Sequence, residues 1–273
     1  MKDRTRKYWR DCWPHVPVII ALFYLLIAWT LFLVVDANNL WGLRDWLAQR
    51  QSIPVTWYYL FEEGGATEIA QWLMLSCACV AACSLAGRLW GDGKNAAALF
   101  WLLMGITAAL MLIEDAGNPR HYLAALSVTL FPDRSPQRLK TTVELLYYVG
   151  LSLLPVYAVL RYWRYPLRSR LTALYLLTGC ALYGVAGFAS ASRHINEWYA
   201  AFGGMVHRVL AGGQLLVPPS WDQYMLHFFL VDWLLEESVE LIGASLLTAA
   251  ALAYLRDYGK RPGMADQLQR RTS

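Results

Sequence analysis

Six stretches of this chain are so long and so apolar that helix crossing a bilayer is the one structure that satisfies them. They lie near 16–35, 67–88, 95–113, 142–160, 170–190 and 230–255. A helix needs about 20 apolar residues to cross about 30 Å of hydrocarbon, because it rises about 1.5 Å per residue and must satisfy its own backbone there. The expected fold is therefore all-α: a polytopic membrane helical bundle of about six transmembrane helices. The rest of the composition agrees, with 57% hydrophobic and only 16% charged residues, where a soluble chain carries about 25% charge. With no low-complexity linker and no internal repeat, 1–273 reads as a single integral membrane domain. The first stretch follows basic residues like a secretory signal, but its run exceeds the usual apolar core of about 7–15 residues, so it reads as an uncleaved helix.

Orientation follows from the basic residues, which concentrate on the cytoplasmic side of membrane proteins. Placing both termini in the cytoplasm puts sixteen of the 24 Lys and Arg there, with only five of the 20 Asp and Glu. The opposite side holds eight bases and fifteen acids. A basic inner face needs no partner beyond anionic lipid, so the expected partner is the lipid bilayer, and no nucleic acid is implied.

The five cysteines, Cys12, Cys77, Cys79, Cys83 and Cys180, avoid the outer loops and imply no disulfide framework. Two outer loops carry amphipathic patterns. In 38–51, Leu40, Trp41, Leu43, Trp46 and Leu47 suggest a short helix in the interface plane, or a lid over a site. In the loop from about 191 to 229, Ile195, Trp198, Tyr199, Phe202, Met205, Val206 and Val209 follow helical spacing. Ser192 is placed to cap that helix and Gly212-Gly213 to end it.

Carboxylates crowd the outer helix ends. Glu62, Glu63 and Glu68 enter the second span, Glu114 and Asp115 end the third, and Glu144 falls in the first turn of the fourth. His194 and Glu197 share a face of the amphipathic outer helix, and Glu236, Glu237 and Glu240 lie within the sixth span. Beyond Glu240 the apolar run Leu241–Leu255 covers roughly 22 Å, about 8 Å short of the hydrocarbon thickness, so Glu240 sits within two turns of the outer boundary. Asp232, Glu236 and Glu240 form an i, i+4, i+8 stripe that must turn toward the bundle or a cavity, since such groups avoid lipid. Glu68 and Glu144 also have a structural reading, as acids favoured at helix N-termini.

So many acids in one pocket must be protonated, paired with Arg120, Arg193 or Arg208, or bound to a cation. Acids and histidines converging from several helices also build metal sites in helical bundles. The expected site therefore has Glu237, Glu240 and Asp115 in catalytic roles, with Glu68, Glu114, His194 and Glu236 as ligands of a divalent metal ion. No cofactor beyond such an ion is implied. The reading is a hydrolase or transferase acting on a lipid or lipid-linked envelope substrate that arrives from the outer leaflet. A cation- or proton-coupled transporter and a non-catalytic membrane partner protein are the alternatives. Transport calls for a polar route through the inner halves of the spans, and these carry no buried charge. Glu114-Asp115 with Arg120 lacks the spacing of prenyl-protease-like proteins, and Ser190, Ser192 and His194 lack the Gly-x-Ser setting of a rhomboid-like protease.

Three short motifs span most of the bundle: Glu63-Gly64-Gly65-Ala66-Thr67-Glu68, Glu114-Asp115, and Glu236-Glu237 with Glu240. In these the chain resembles a group of poorly characterised multi-pass bacterial inner-membrane proteins, from which it departs in the Gly117-Asn118-Pro119-Arg120-His121 that follows the acidic pair. The resemblance implies an inner (cytoplasmic) membrane location and a site built from helix ends. The group brings no assigned reaction, so no activity is implied.

Overall fold

The computed structural model describes residues 12–50, 56–193, 195, 197–212, 214–215 and 220–259. The described residues are 87% helical, with no strand. Six helical stretches are long and apolar enough to cross a membrane: Trp13–Ala37, Thr56–Gly91, Asn95–Gly117, Pro136–Tyr162, Arg170–Ser192 and Gln223–Gly259. All six expected spans are found, and the fold is that of a multi-pass membrane protein.

The helices are α1 (Val16–Leu31), α2 (Leu43–Ala48), α3 (Thr56–Phe61), α4 (Ala66–Gly91), α5 (Asn95–Gly117), α6 (Pro119–Leu130), α7 (Pro136–Tyr162), α8 (Arg170–Ser192), α9 (Trp198–Ala211), α10 (Gln223–Phe229) and α11 (Glu237–Gly259). Among the described residues two stretches are π-helical, Phe32–Ala37 after α1 and Leu230–Glu236 between α10 and α11.

α11 forms the centre and packs against α8, α4 and α1, while α5 pairs with α4 and α7 lies at the periphery. In the last span 72% of the most apolar window is buried, against 11% in the α7 span. Composition explains the difference. α11 presents Gly243, Ala244, Ala249, Ala250, Ala251 and Ala253, and small residues let membrane helices approach closely where no hydrophobic effect drives them together. At the α8–α11 crossing, a Cβ added at Gly179 would lie 3.2 Å from the Gly243 carbonyl oxygen, and one at Gly243 would lie 2.8 Å from the Tyr183 ring. α7 instead turns Leu146, Leu153 and Leu160 outward, each more than 60% exposed, as a lipid-facing helix must.

The two ends of the bundle differ. At one, His15 bonds Tyr175, Lys94 Nζ donates to Tyr258 at 2.9 Å, and Ser169 Oγ donates to Asp257 at 2.6 Å. An apolar core of Leu85, Leu89, Phe100, Trp101, Met104, Leu176 and Tyr254 fills this half. The other end carries the long connections around 38–65, 118–135 and 193–222, called here the loop end. A second core of Phe32, Trp57, Phe61, Leu226, Leu230 and Leu234 lies there. All five cysteines are free.

Three local expectations change. The segment after α5 forms a helix, α6, where the sequence suggested only a loop: Asn118 takes a left-handed φ of 48° that ends α5, and Pro119 opens α6 with a fixed φ that suits the first helical position. Ser192 is the last residue of α8 rather than the cap of the amphipathic helix, which begins at Trp198 after Glu197 in a left-handed conformation. Glu144 lies two turns inside α7, because that helix begins at Pro136; the dipole explanation therefore does not reach it. α2 and α9 do form helices, and Gly212 ends α9 with φ 55°.

Candidate functional site

Local backbone chemistry brings the acids inward. The chain enters α4 through Gly64 at φ 76° and Gly65, where a Cβ would lie 2.6 Å from the Glu62 carbonyl oxygen. This tight entry lets the Glu68 carboxylate accept from the Gly64 N–H, much as the acid of a capping box reaches back over its helix end. In the last span the π-helical turn is decisive. A regular α-helix would put Asp232, Glu236 and Glu240 on one stripe and rotate Glu237 about 100° away. The wider π turn, bonded i to i+5, stacks Glu237 one turn beyond Asp232, and all four acids line the same cavity.

That cavity, of about 390 Å³, opens at the loop end between α4, α5, α6, α7 and the last span. Its lining includes Glu63, Glu68, Glu114, Asp115, Glu144, Asp232, Glu236, Glu237 and Glu240, with the basic side chains Arg120, Lys140 and Arg193 and the His121 ring among the described residues. Phe228, Phe229 and Trp233 give it an aromatic wall, in which Phe229 and Trp233 stack with ring centroids 4.2 Å apart.

The charges fall into two zones. On the α6–α7 side the arginines are engaged. Arg193 bridges Asp232 at 3.0 Å and Glu144 at 3.3 Å. Burial opposes its charge, but Asp232, Glu144 and Glu236 outweigh burial and hold the guanidinium above the ordinary arginine range. Arg120 lies 3.3 Å from Glu114, donates to Ser190 at 2.9 Å and covers the Tyr148 ring. His121 stands between the guanidinium groups, 3.2 Å from that of Arg120 and 3.3 Å from that of Arg193.

The floor is different. Gln71, fully buried on α4, donates from one nitrogen to Asp115 at 2.6 Å and to Glu240 at 2.8 Å. A neutral amide thus joins two carboxyl groups from different helices. Glu237 leaves one oxygen buried without a hydrogen-bond partner. Glu236 accepts from the Tyr199 hydroxyl at 2.5 Å. Burial, and then the Glu236 carboxylate, push the Tyr199 phenol well above its usual range and keep it a donor.

Of the residues expected at the site, Glu68, Glu114, Asp115, Glu236, Glu237 and Glu240 all line this one cavity, while His194 lies outside the described residues. Glu197, its partner in the sequence pattern, is exposed at the start of α9. Among the described residues no group of three or more His, Cys, Asp or Glu is arranged to hold a metal ion. One oxygen of Glu68 accepts from the Gly64 N–H, one of Glu236 accepts from Tyr199, and Glu114 pairs with Arg120 at 3.3 Å. Sequence reasoning missed Gln71 and Tyr199. Gln71 carried one usable signal, its i+3 spacing from Glu68, which shares a helical face. Tyr199 sat in the apolar stripe of α9 and carried none.

No family model, curated protein or solved structure matches this chain. The three short acidic motifs of the sequence all contribute to the cavity lining, through Glu63 and Glu68, Glu114 and Asp115, and Glu236, Glu237 and Glu240.

Proposed function

We propose that the chain is a multi-pass enzyme of the cytoplasmic membrane that performs acid–base chemistry on the headgroup of a lipid or lipid-linked substrate. The observation that carries this reading is the pair Asp115 and Glu240 on one Gln71 nitrogen, at the floor of a cavity that also offers an aromatic wall. Two carboxyl groups on one neutral donor favour a single negative charge between them. The protonated member is placed to protonate a leaving oxygen, and the ionised member to take a proton from an attacking water or hydroxyl, giving hydrolysis or group transfer. Glu237 stands beside them as a second base. Arg120 and Arg193 hold Glu114, Glu144 and Asp232, which keeps the cavity walls fixed while the floor exchanges protons.

The size of the cavity, about 390 Å³, suits a headgroup, since small-molecule sites run from about 300 to 1,000 Å³. Positive-inside charge counting supports both termini in the cytoplasm and the cavity opening to the opposite side. A divalent ion, with Glu68, Glu114, Glu236 and His194 as ligands, remains part of the proposal as a way to neutralise the acid excess. The acid–base chemistry proposed is carried by the carboxylates themselves. A transporter needs a polar route through the other half of the bundle, where Leu85, Phe100, Trp101 and Leu176 fill the core; that packing supports the enzymatic reading.

The test is to incubate purified protein in nanodiscs with a total bacterial lipid extract and follow headgroup composition by mass spectrometry. Wild type should deplete one lipid class, and Glu240→Gln and Asp115→Asn should not. Identical profiles for all three would remove the enzymatic reading. Elemental analysis of wild type against Glu240→Ala and Glu236→Ala decides the metal, which is rejected if wild type carries none under varied metal supply.

A further inference from the structure

We propose that His207 and His227 form a protonation-sensitive latch that docks α10, and with it the aromatic wall of the cavity, against α9. The latch is fixed by geometry. His207 is buried, and its Nε2 accepts from the Leu215 N–H at 3.3 Å. Its own proton must then sit on Nδ1, which donates to His227 Nε2 at 3.2 Å. The chain from Leu215 amide to His207 to His227 runs in one direction, and it works only with both rings neutral. A proton on His227 Nε2 would face the Nδ1–H of His207, and a proton on His207 Nε2 would face the Leu215 N–H. Either event sets two donors against each other.

The seating of His227 is an independent observation. Gly203 and Gly204 leave α9 without side chains where α10 crosses it. A Cβ at Gly203 would lie 1.7 Å from the His227 carbonyl oxygen, and one at Gly204 would lie 3.1 Å from its Nδ1. Ring and main chain of His227 therefore rest directly on α9. The charged group facing His227 from α9 is Arg208, which repels an imidazolium there. His207 faces His227 from α10 and the Leu215 amide.

Burial, and secondarily His227, hold the His207 imidazole below the ordinary histidine range. The docked state thus binds fewer protons than the undocked one. Docking is at full strength above the ordinary imidazole value of about 6.5 and is lost as pH falls below it, through the depressed docked value. Release reaches the site at once, because Phe228, Phe229, Asp232 and Trp233 follow His227 into the cavity lining and Tyr199 holds Glu236 from α9. This regulation rests on the reading of the cavity as the working site, but the docking itself is measured without any substrate.

The experiment is hydrogen–deuterium exchange of the full chain in nanodiscs at pH 7.5 and pH 5.5, corrected for the chemical exchange rate. Peptides covering α9 and α10 should lose about tenfold in protection at the lower pH, one proton's linkage over about one pH unit, while peptides from α4 and α5 hold theirs. His207→Asn/His227→Gln, which keeps neutral donors and acceptors, should abolish the difference. Exchange at the imidazole C2–H in wild type gives the titration of His207 and should share its midpoint with the release. Equal protection at both pH values overturns the latch, as does an undiminished response in the double variant or a release that occurs while His207 stays neutral.

Discussion

Gln71 and Glu240 lie 2.8 Å apart, amide nitrogen to carboxylate oxygen, on the two helices whose crossing forms the floor of the cavity. The same nitrogen serves Asp115 at 2.6 Å. Replacing Gln71 by Leu removes the shared donor and leaves two carboxyl groups to find new partners. The expected cost is about 1–3 kcal/mol, read as a lower Tm in detergent. A Gln71→Leu protein as stable as wild type would show that the amide does not hold the pair.

Arg193 closes the opposite side of the cavity by joining the end of α8 to α7 and the last span. Arg193→Met takes the guanidinium from Glu144, whose side chain is 2% exposed, and leaves it only the His121 ring at 3.9 Å among the basic groups paired with it. Removing one partner of a buried ion pair costs about 3–5 kcal/mol, so Tm should fall sharply. Arg193→Met/Glu144→Gln should recover part of the loss, because the second change removes the uncompensated charge. An equal or larger loss in the double variant counts against this.

Glycine substitutions separate packing from propensity. Gly203→Ala places a methyl 1.7 Å from the His227 carbonyl oxygen and should undock α10, seen as faster amide exchange in α9 and α10. Gly150→Ala on α7 meets nothing within 4 Å. It should be neutral or stabilising by up to about 1 kcal/mol, the helix propensity gained.

Asp36 is fully buried at the end of the first π-helical turn. It accepts from the Thr56 and Trp57 amides at 3.1 and 2.8 Å and from the Thr56 hydroxyl at 2.5 Å. It therefore caps α3 from another segment. Asp36→Ala should cost about 1–2 kcal/mol, and Asp36→Asn, which keeps one acceptor oxygen, should cost less; equal losses would argue against capping.

Orientation is open to thiol labelling in a background without the native cysteines. With both termini in the cytoplasm, Tyr122→Cys on α6, where the tyrosine is 73% exposed, should react with a membrane-impermeant reagent in intact spheroplasts. Gly91→Cys at the other end should react only after lysis. The reverse pattern inverts the topology.

Much of this was legible in the sequence, for reasons that can be named. The spans were readable because hydrocarbon demands long apolar runs; their limits moved most where further helical segments extend them, at Thr56, Pro136 and Gln223. α6 was missed because Tyr122, Leu123, Leu126 and Leu130 make too short a run to stand out, and only the left-handed turn at Asn118 reveals the break. The acids were readable as a group, since charge in a span is costly wherever it falls. Their pairing was not. Whether Glu144 meets Arg193 or Glu236 meets Tyr199 depends on how helices far apart in the chain cross. Glu237 shows the same limit: α-helical spacing separates it from Asp232, and the π turn reunites them.

That π turn has a consequence for how such a chain can vary. Substitution adjusts one side chain at a time, but deletion of a single residue within Leu230–Glu236 would let the segment relax to an α-helix. A deletion between Asp232 and Glu237 would leave these two four residues apart instead of five, again one turn, so everything before it would keep its face relative to α11. Phe228, Phe229 and Asp232 would keep to the cavity together with Glu237 and Glu240. One codon can thus come or go in this turn while the pocket keeps its walls, because the helix absorbs the change in length locally.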